Sequence, residues 1–162
     1  MKIRALAYCA LGAAVVLTAG VAVAAGHAKM GDKKEMKTIE YKVVDKSSIP
    51  ASLTGKPGDP ANGKKVVIDR KKGNCLACHV MPIPEQAYHG NIGPELNGVG
   101  KRYSAGELRL RIVNPKVINS ETIMPAFYKN DGFHRVLKKF KGKTIISAQD
   151  VEDVVAYLMT LK

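Results

Sequence analysis

A chain of 162 residues has room for one domain with extensions and not for several. It carries 26 basic against 14 acidic side chains, a formal charge of +12, and only three cysteines. Such a balance invites nucleic-acid binding, but the start of the chain argues against it.

Residues 1–25 read as an export signal. Lys2 and Arg4 form a charged start, an apolar run comes next, and Ala22, Val23, Ala24 and Ala25 supply small-residue cleavage patterns. The run is long enough to make an uncleaved membrane anchor the alternative. Its alanine, glycine and valine content and its ending favour cleavage. Cys9 leaves with this segment, and Tyr8 before it rules out a lipoprotein cysteine. The signal lacks an arginine pair, so the expected route is general secretion to the periplasm, with no membrane attachment afterwards. Loss of Lys2 and Arg4 lowers the charge by two and leaves a basic protein. Docking on an acidic partner suits such a protein better than nucleic acid does, because opposite charge steers encounter. General solubility is the plainer account of the same charge.

Residues 26–58 read as a tail and arm. Lys29, Lys33, Lys34 and Lys37 crowd its start, and residues 26–37 are expected to be disordered. Ile39, Tyr41 and Val43 alternate with polar neighbours as one extended segment. Pro50, Gly55, Pro57 and Gly58 punctuate the rest of this region, an arm lying on the domain or on a partner.

The main domain is expected over residues 59–162. Asp59 caps a helix with Pro60 at its first position. Gly63, Val66, Val67 and Arg70 carry that helix, which should end by Gly73. A glycine inside a helix costs about 1 kcal/mol against alanine, so Gly63 suggests a close helix crossing.

Cys75-Leu76-Ala77-Cys78-His79 comes next, the attachment pattern of a c-type haem. Two thiols at this spacing reach both vinyl groups from a single turn of backbone, and the next residue offers an imidazole to the iron. Zinc is the first alternative, but the chain has no further cysteine after Cys78, and His89 and His134 stand alone. A redox dithiol requires a βαβ setting that the flanks lack, and a plain disulfide leaves the histidine unexplained.

Residues 80–100 form a loop rich in proline and glycine, for which a haem supplies a packing surface. The loop holds Gly93-Pro94-Glu95-Leu96. Ser104 and Glu107 form a capping box opening a helix through about Val113, with Leu108 and Ile112 inward and Arg109 and Arg111 elsewhere. Pro115 stops it, and residues 119–127 form a loop containing Met124-Pro125. Phe133, Val136, Leu137 and Phe140 predict a short amphipathic helix whose other face carries Arg135, Lys138, Lys139 and Lys141. That basic face is a candidate docking patch or simply a solvated one. Ser147 and Asp150 cap a last helix, with Ala148, Val151, Val154, Val155 and Leu158 as its buried stripe and Tyr157 expected near Gly63. Asp150, Glu152 and Asp153 sit near its start, where the helix dipole favours anions.

A haem bound by His79 alone has an open position, whereas a sixth ligand makes an electron carrier. Met124, in a loop stiffened by Pro125, is the first choice. His89 is the runner-up. Met81 lies too close after His79, Met159 lies on a core helix, and His27, Met30 and Met36 fall in the tail. His134 is a lone histidine.

The helix order resembles that of class I cytochromes c, an all-α fold. That resemblance implies that Pro94 offers its carbonyl to the free ring nitrogen of His79. A narrower likeness rests on residues 73–79, 93–100 and 102–104. To these are added Arg111-Ile112-Val113-Asn114-Pro115-Lys116, Met124-Pro125-Ala126-Phe127-Tyr128 and the closing residues 148–158. Together they resemble the SoxX family, the mono-haem subunit of the SoxAX cytochrome complex of bacterial thiosulfate oxidation. The resemblance covers about residues 59–161. It implies one covalent haem c on Cys75 and Cys78, iron ligation by His79 and Met124, and a SoxA-like partner in a periplasmic heterodimer. It further implies that the complex, an L-cysteine S-thiosulfotransferase, joins thiosulfate oxidatively to a cysteine of the carrier SoxYZ. This chain then passes electrons to a small acceptor cytochrome. Arg102 and Tyr103 are candidates for haem contacts, with an exposed basic pair at Lys101 and Arg102 as the plainer reading, and residues 38–58 for wrapping SoxA. Nothing in the chain looks catalytic by itself. A free-standing class I cytochrome shuttle is the main alternative, and a five-coordinate gas-binding module the second.

Overall fold

Helix α1, Pro60–Ile68, begins where Asp59 accepts a 2.8 Å hydrogen bond from the Ala61 N–H, with Pro60 in the first turn. The computed structural model describes residues 38–162. The expected export signal over residues 1–25 and the expected disorder of residues 26–37 lie outside the described residues. Among the described residues three further helices are present, α2 at Val99–Arg102, α3 at Ala105–Val113 and α4 at Ala148–Thr160, with short 3-10 turns at Cys75–Ala77, Pro115–Val117 and Lys138–Phe140. No strand forms among the described residues beyond an isolated bridge between Val44 and Ser48. The domain is all-α, as expected.

The crossing of α1 on α4 sets the frame. A Cβ added at Gly63 would sit 2.0 Å from the Asp153 carbonyl oxygen and 2.9 Å from the Tyr157 Cβ. Only a hydrogen on that Cα lets the two backbones approach so closely. Tyr157 is therefore placed against Gly63 as its spacing suggested. Both capping boxes form: Ser104 with Glu107 on α3, and Ser147 with Asp150 on α4. The apolar stripe of α4, with Val151, Val154, Val155 and Leu158, is buried.

A polar hub runs through this core. Arg109 on α3 forks onto Glu152 on α4, with Nε–Oε1 at 2.8 Å and Nη2–Oε2 at 2.9 Å, both side chains almost fully buried. The same guanidinium donates to the Ile49 carbonyl at 2.6 Å, and Glu152 accepts from the Leu53 N–H at 2.8 Å. At the next position of α4, Asp153 accepts from the Asp59 N–H and from Asn62 Nδ2. The hub thus ties the arm to α3 and α4. Ile49 and Leu53 belong to the core, Tyr41 and Val43 pack against it, and the Ile39 N–H donates to the Tyr128 hydroxyl at 2.9 Å. The arm lies on its own domain.

Three expectations are corrected, the first being Arg109, which is buried against Glu152 and not turned away from the core. Helix α1 stops at Ile68, so Arg70 lies in the turn beyond it; the Asp69 N–H closes the last bond to Lys65, and extended backbone at Asp69 ends the helix. Residues 133–140 do not form an amphipathic helix. Gly132, Arg135 and Gly142 all have positive φ, and only the 3-10 turn at Lys138–Phe140 is regular. Phe133, Leu137 and Phe140 are 44%, 67% and 49% exposed, so no core face exists to pull this segment into a helix.

Two substitutions test this frame. Gly63→Ala should lower stability by about 1–3 kcal/mol through overpacking, although helix propensity alone favours alanine by about 1 kcal/mol. A gain in the denaturant midpoint would show that the crossing is not tight. Arg109→Ala should cost about 3–5 kcal/mol by stranding the Glu152 carboxylate, whereas the double change Arg109→Met with Glu152→Leu should cost much less. Equal losses in the two variants would contradict the stranded-charge account.

Candidate functional site

The site is built on the turn that carries the two thiols. Asn74 enters it in the left-handed region, at φ 46°, and the Cys78 and His79 N–H groups donate to the Cys75 carbonyl at 3.1 and 2.9 Å. Both thiols are free. Cys75 faces a cavity, and burial pushes its thiol up to about 12. Reactive dithiols work by the opposite shift, a depressed pKa that supplies thiolate. The redox-dithiol reading fails on fold, since no strand and hence no βαβ unit flanks the turn among the described residues. Among the described residues no three His, Cys, Asp or Glu side chains cluster as metal ligands, so zinc has no ligand set.

The loop at residues 80–98 folds back onto this turn. The Gly90 N–H donates to the Leu76 carbonyl at 2.8 Å, the Gly93 N–H to the Cys78 carbonyl at 2.8 Å and the Leu96 N–H to the Val80 carbonyl at 2.9 Å. The approach is close enough that a Cβ at Gly93 would meet His79 Cε1 at 2.4 Å. With the loop seated so, the Pro94 carbonyl lies 2.7 Å from His79 Nδ1. A carbonyl only accepts, so Nδ1 holds the proton and Nε2 keeps its lone pair for a metal.

His79 opens onto a cavity of about 910 Å³, near the top of the ~300–1,000 Å³ range of cofactor sites. Cys75, Cys78, Pro94, Arg102, Tyr103 and Met124 line the same space, with an otherwise mostly apolar wall. The structure thus brings together Cys75, Cys78, His79, Pro94, Arg102, Tyr103 and Met124, but not the runner-up ligand His89. Met124 is held by its N–H bond to Thr122 Oγ1 at 3.2 Å, and the chain after it is pinned by the Phe127 N–H to the Ile112 carbonyl at 3.1 Å.

His89 is not among the lining residues. Its Nδ1 accepts from the Met81 N–H at 3.3 Å. This removes the runner-up ligand. Met159 packs against the core as expected, and His134 is exposed. Met81 lines the cavity but is buried within its wall.

Arg102 does two things. It lines the cavity, and its guanidinium donates to the Asn97 and Glu95 carbonyls at 2.9 and 2.7 Å, bracing the loop that presents Pro94. Arg111 also lines the cavity and stacks 4.0 Å over the Tyr103 ring. Sequence reasoning missed Arg111 because helix phase alone puts it outside the core stripe. Its guanidinium donates to the Glu107 backbone carbonyl at 3.1 Å, a partner that no residue type announces in the sequence.

These residues fit a covalent haem c. Two free thiols stand at one edge of a large apolar cavity, an imidazole is oriented with a free lone pair, and a thioether sits in the same space. Four cationic side chains, Arg70, Lys72, Arg102 and Arg111, line the cavity as well.

Comparison with known proteins agrees with the geometry. The family model described as cytochrome c matches residues 60–162. Among solved structures, a crystal structure of SoxXA from P. pantotrophus matches with a TM-score of 0.70 and 42% identity, covering 76% of this chain and 95% of that one. No curated protein sequence matches. This likeness is consistent with a SoxX subunit. The chain belongs to the cytochrome c family, and its prosthetic group is a covalent haem c.

Proposed function

We propose that this chain is the electron-transfer subunit of a SoxAX-type complex, exported to the periplasm with residues 1–25 removed. The complex would conjugate thiosulfate oxidatively to a cysteine of a SoxYZ-type carrier. The observation that carries the reading is the single cavity shared by Cys75, Cys78, His79 and Met124 in a chain so similar to SoxXA.

When bound, the haem supplies a one-electron couple between ferric and ferrous iron. The chain's own residues do the rest. Cys75 and Cys78 anchor the group covalently. His79 presents Nε2 to the iron, with the Pro94 carbonyl fixing the ring and raising its basicity. Met124 offers a soft thioether, which favours the reduced metal. Arg102, Tyr103 and Arg111 line the same cavity and would offer polar partners to the bound group. The mostly apolar wall would lower the polarity around the bound group. No nucleophile with an adjacent base stands at this site, so the sulfur chemistry belongs to the partner subunit. Among the described residues no helix is long and apolar enough to cross a membrane.

The inner side of residues 38–58 is occupied by the chain's own core, so wrapping of a SoxA-like partner falls to the outer face of this arm. A small acceptor cytochrome would take the electron onward.

The test is a pull-down of the mature haem-loaded chain from its own periplasm after growth on thiosulfate, with bands stained for covalent haem. An equimolar second haem-bearing subunit is expected. A lone haem band with the spectrum of a His/Met cytochrome would replace the complex with a free-standing electron shuttle.

A further inference from the structure

The segment that does not form the expected helix is the least explained surface of the molecule. Between Asp131 and Asp150 the sequence contains no acidic residue, yet it holds Arg135, Lys138, Lys139, Lys141 and Lys143. Among the described residues none of these five forms an ion pair, although Lys64, Lys72, Arg109 and Lys129 all do. Phe133, Leu137 and Phe140 stand out of the same segment into solvent. Single exposed apolar side chains are ordinary, but three within one basic segment make it a candidate interaction surface.

The segment has a fixed shape. Positive φ at Gly132, Arg135 and Gly142 sets its bends, and the Phe140 and Lys143 N–H groups donate to the Leu137 and Phe140 carbonyls at 2.8 and 3.2 Å. It also leads directly to the cavity. The Ile145 and Ile146 N–H groups donate to the Phe127 carbonyl at 2.9 and 3.2 Å, and both residues line the cavity that contains Met124. Ile145 and Ile123, also in the lining, are 45% and 75% exposed.

We propose that residues 132–143 dock an acidic electron-accepting protein, which then receives its electron across the Ile123–Ile145 rim. The proposal rests on the electron-carrier reading above and adds to it the face used and the charge of the partner. Unpaired cations attract an acidic surface from a distance, the three apolar side chains give it something to desolvate against, and the rim residue Ile145, two positions beyond the segment, opens onto the cavity. An anionic membrane would satisfy the charge and the apolar side chains, but it gives no reason for the segment to abut the redox site.

The experiment uses the mature, haem-loaded protein, reduced and mixed in a stopped-flow with an acidic cytochrome c of higher potential as the probe acceptor. The variant Lys138→Glu/Lys139→Glu/Lys141→Glu is compared with the control Lys56→Glu/Lys65→Glu/Lys71→Glu, which makes the same change in net charge at exposed positions outside the cavity. At low salt the docking variant should lose at least about tenfold in second-order rate and most of its salt dependence. The control should lose much less, and both should keep the wild-type absorption spectrum and potential. Equal losses in the two variants would reduce the effect to net charge and overturn the proposal. So would an unchanged rate together with loss of co-sedimentation with phosphatidylglycerol vesicles, which would make the segment a membrane contact. Failure of the wild-type protein to reduce any acceptor would instead sink the electron-carrier reading itself.

Discussion

The structure depends on one short contact, the Pro94 carbonyl on His79 Nδ1 at 2.7 Å. It decides which ring nitrogen is protonated and so which one is free to bind metal. The contact exists because Gly93 has no side chain, since any Cβ there would strike the imidazole. It persists because Arg102 holds the carbonyls of Glu95 and Asn97, on the same loop, with charge-assisted bonds. A proline and a glycine that look like simple loop punctuation are therefore what orients His79.

Behind the site, the helices are held by two different means. Helices α1 and α4 approach by omission of a side chain at Gly63, and α3 and α4 are joined by a buried ion pair. A buried pair contributes little net stability against well-packed apolar residues, because both charges give up water. What Arg109 and Glu152 do add is geometry, since the same two side chains also bind the backbone at Ile49 and Leu53. The arm is thereby fixed in register with the helices that frame the cavity.

Much of this is legible in the sequence, and the reasons are local. Asp59 with Pro60, Ser104 with Glu107, and Ser147 with Asp150 start helices through bonds made within a single turn. The thiol spacing states its own chemistry. The failures are mostly non-local. Arg109 looks like a surface cation because nothing nearby in sequence reveals that Glu152 will face it. Residues 133–140 have the right apolar period for a helix, but periodicity stabilises a helix only when a core receives its apolar face. Here left-handed backbone at Gly132 and Arg135 turns the segment outward. The four-residue helix α2 is too short to show any period and reads as loop.

The central claim is that His79 and Met124 ligate the same iron from one cavity. It is tested most directly by the near-infrared spectrum of the ferric holoprotein, read beside its reduction potential in the Met124→His variant. The account predicts a methionine-to-iron charge-transfer band in the native protein. In the variant that band should be lost and the potential should fall, since imidazole stabilises ferric iron better than thioether does. A native protein without the band, or a variant that keeps both band and potential, would contradict it.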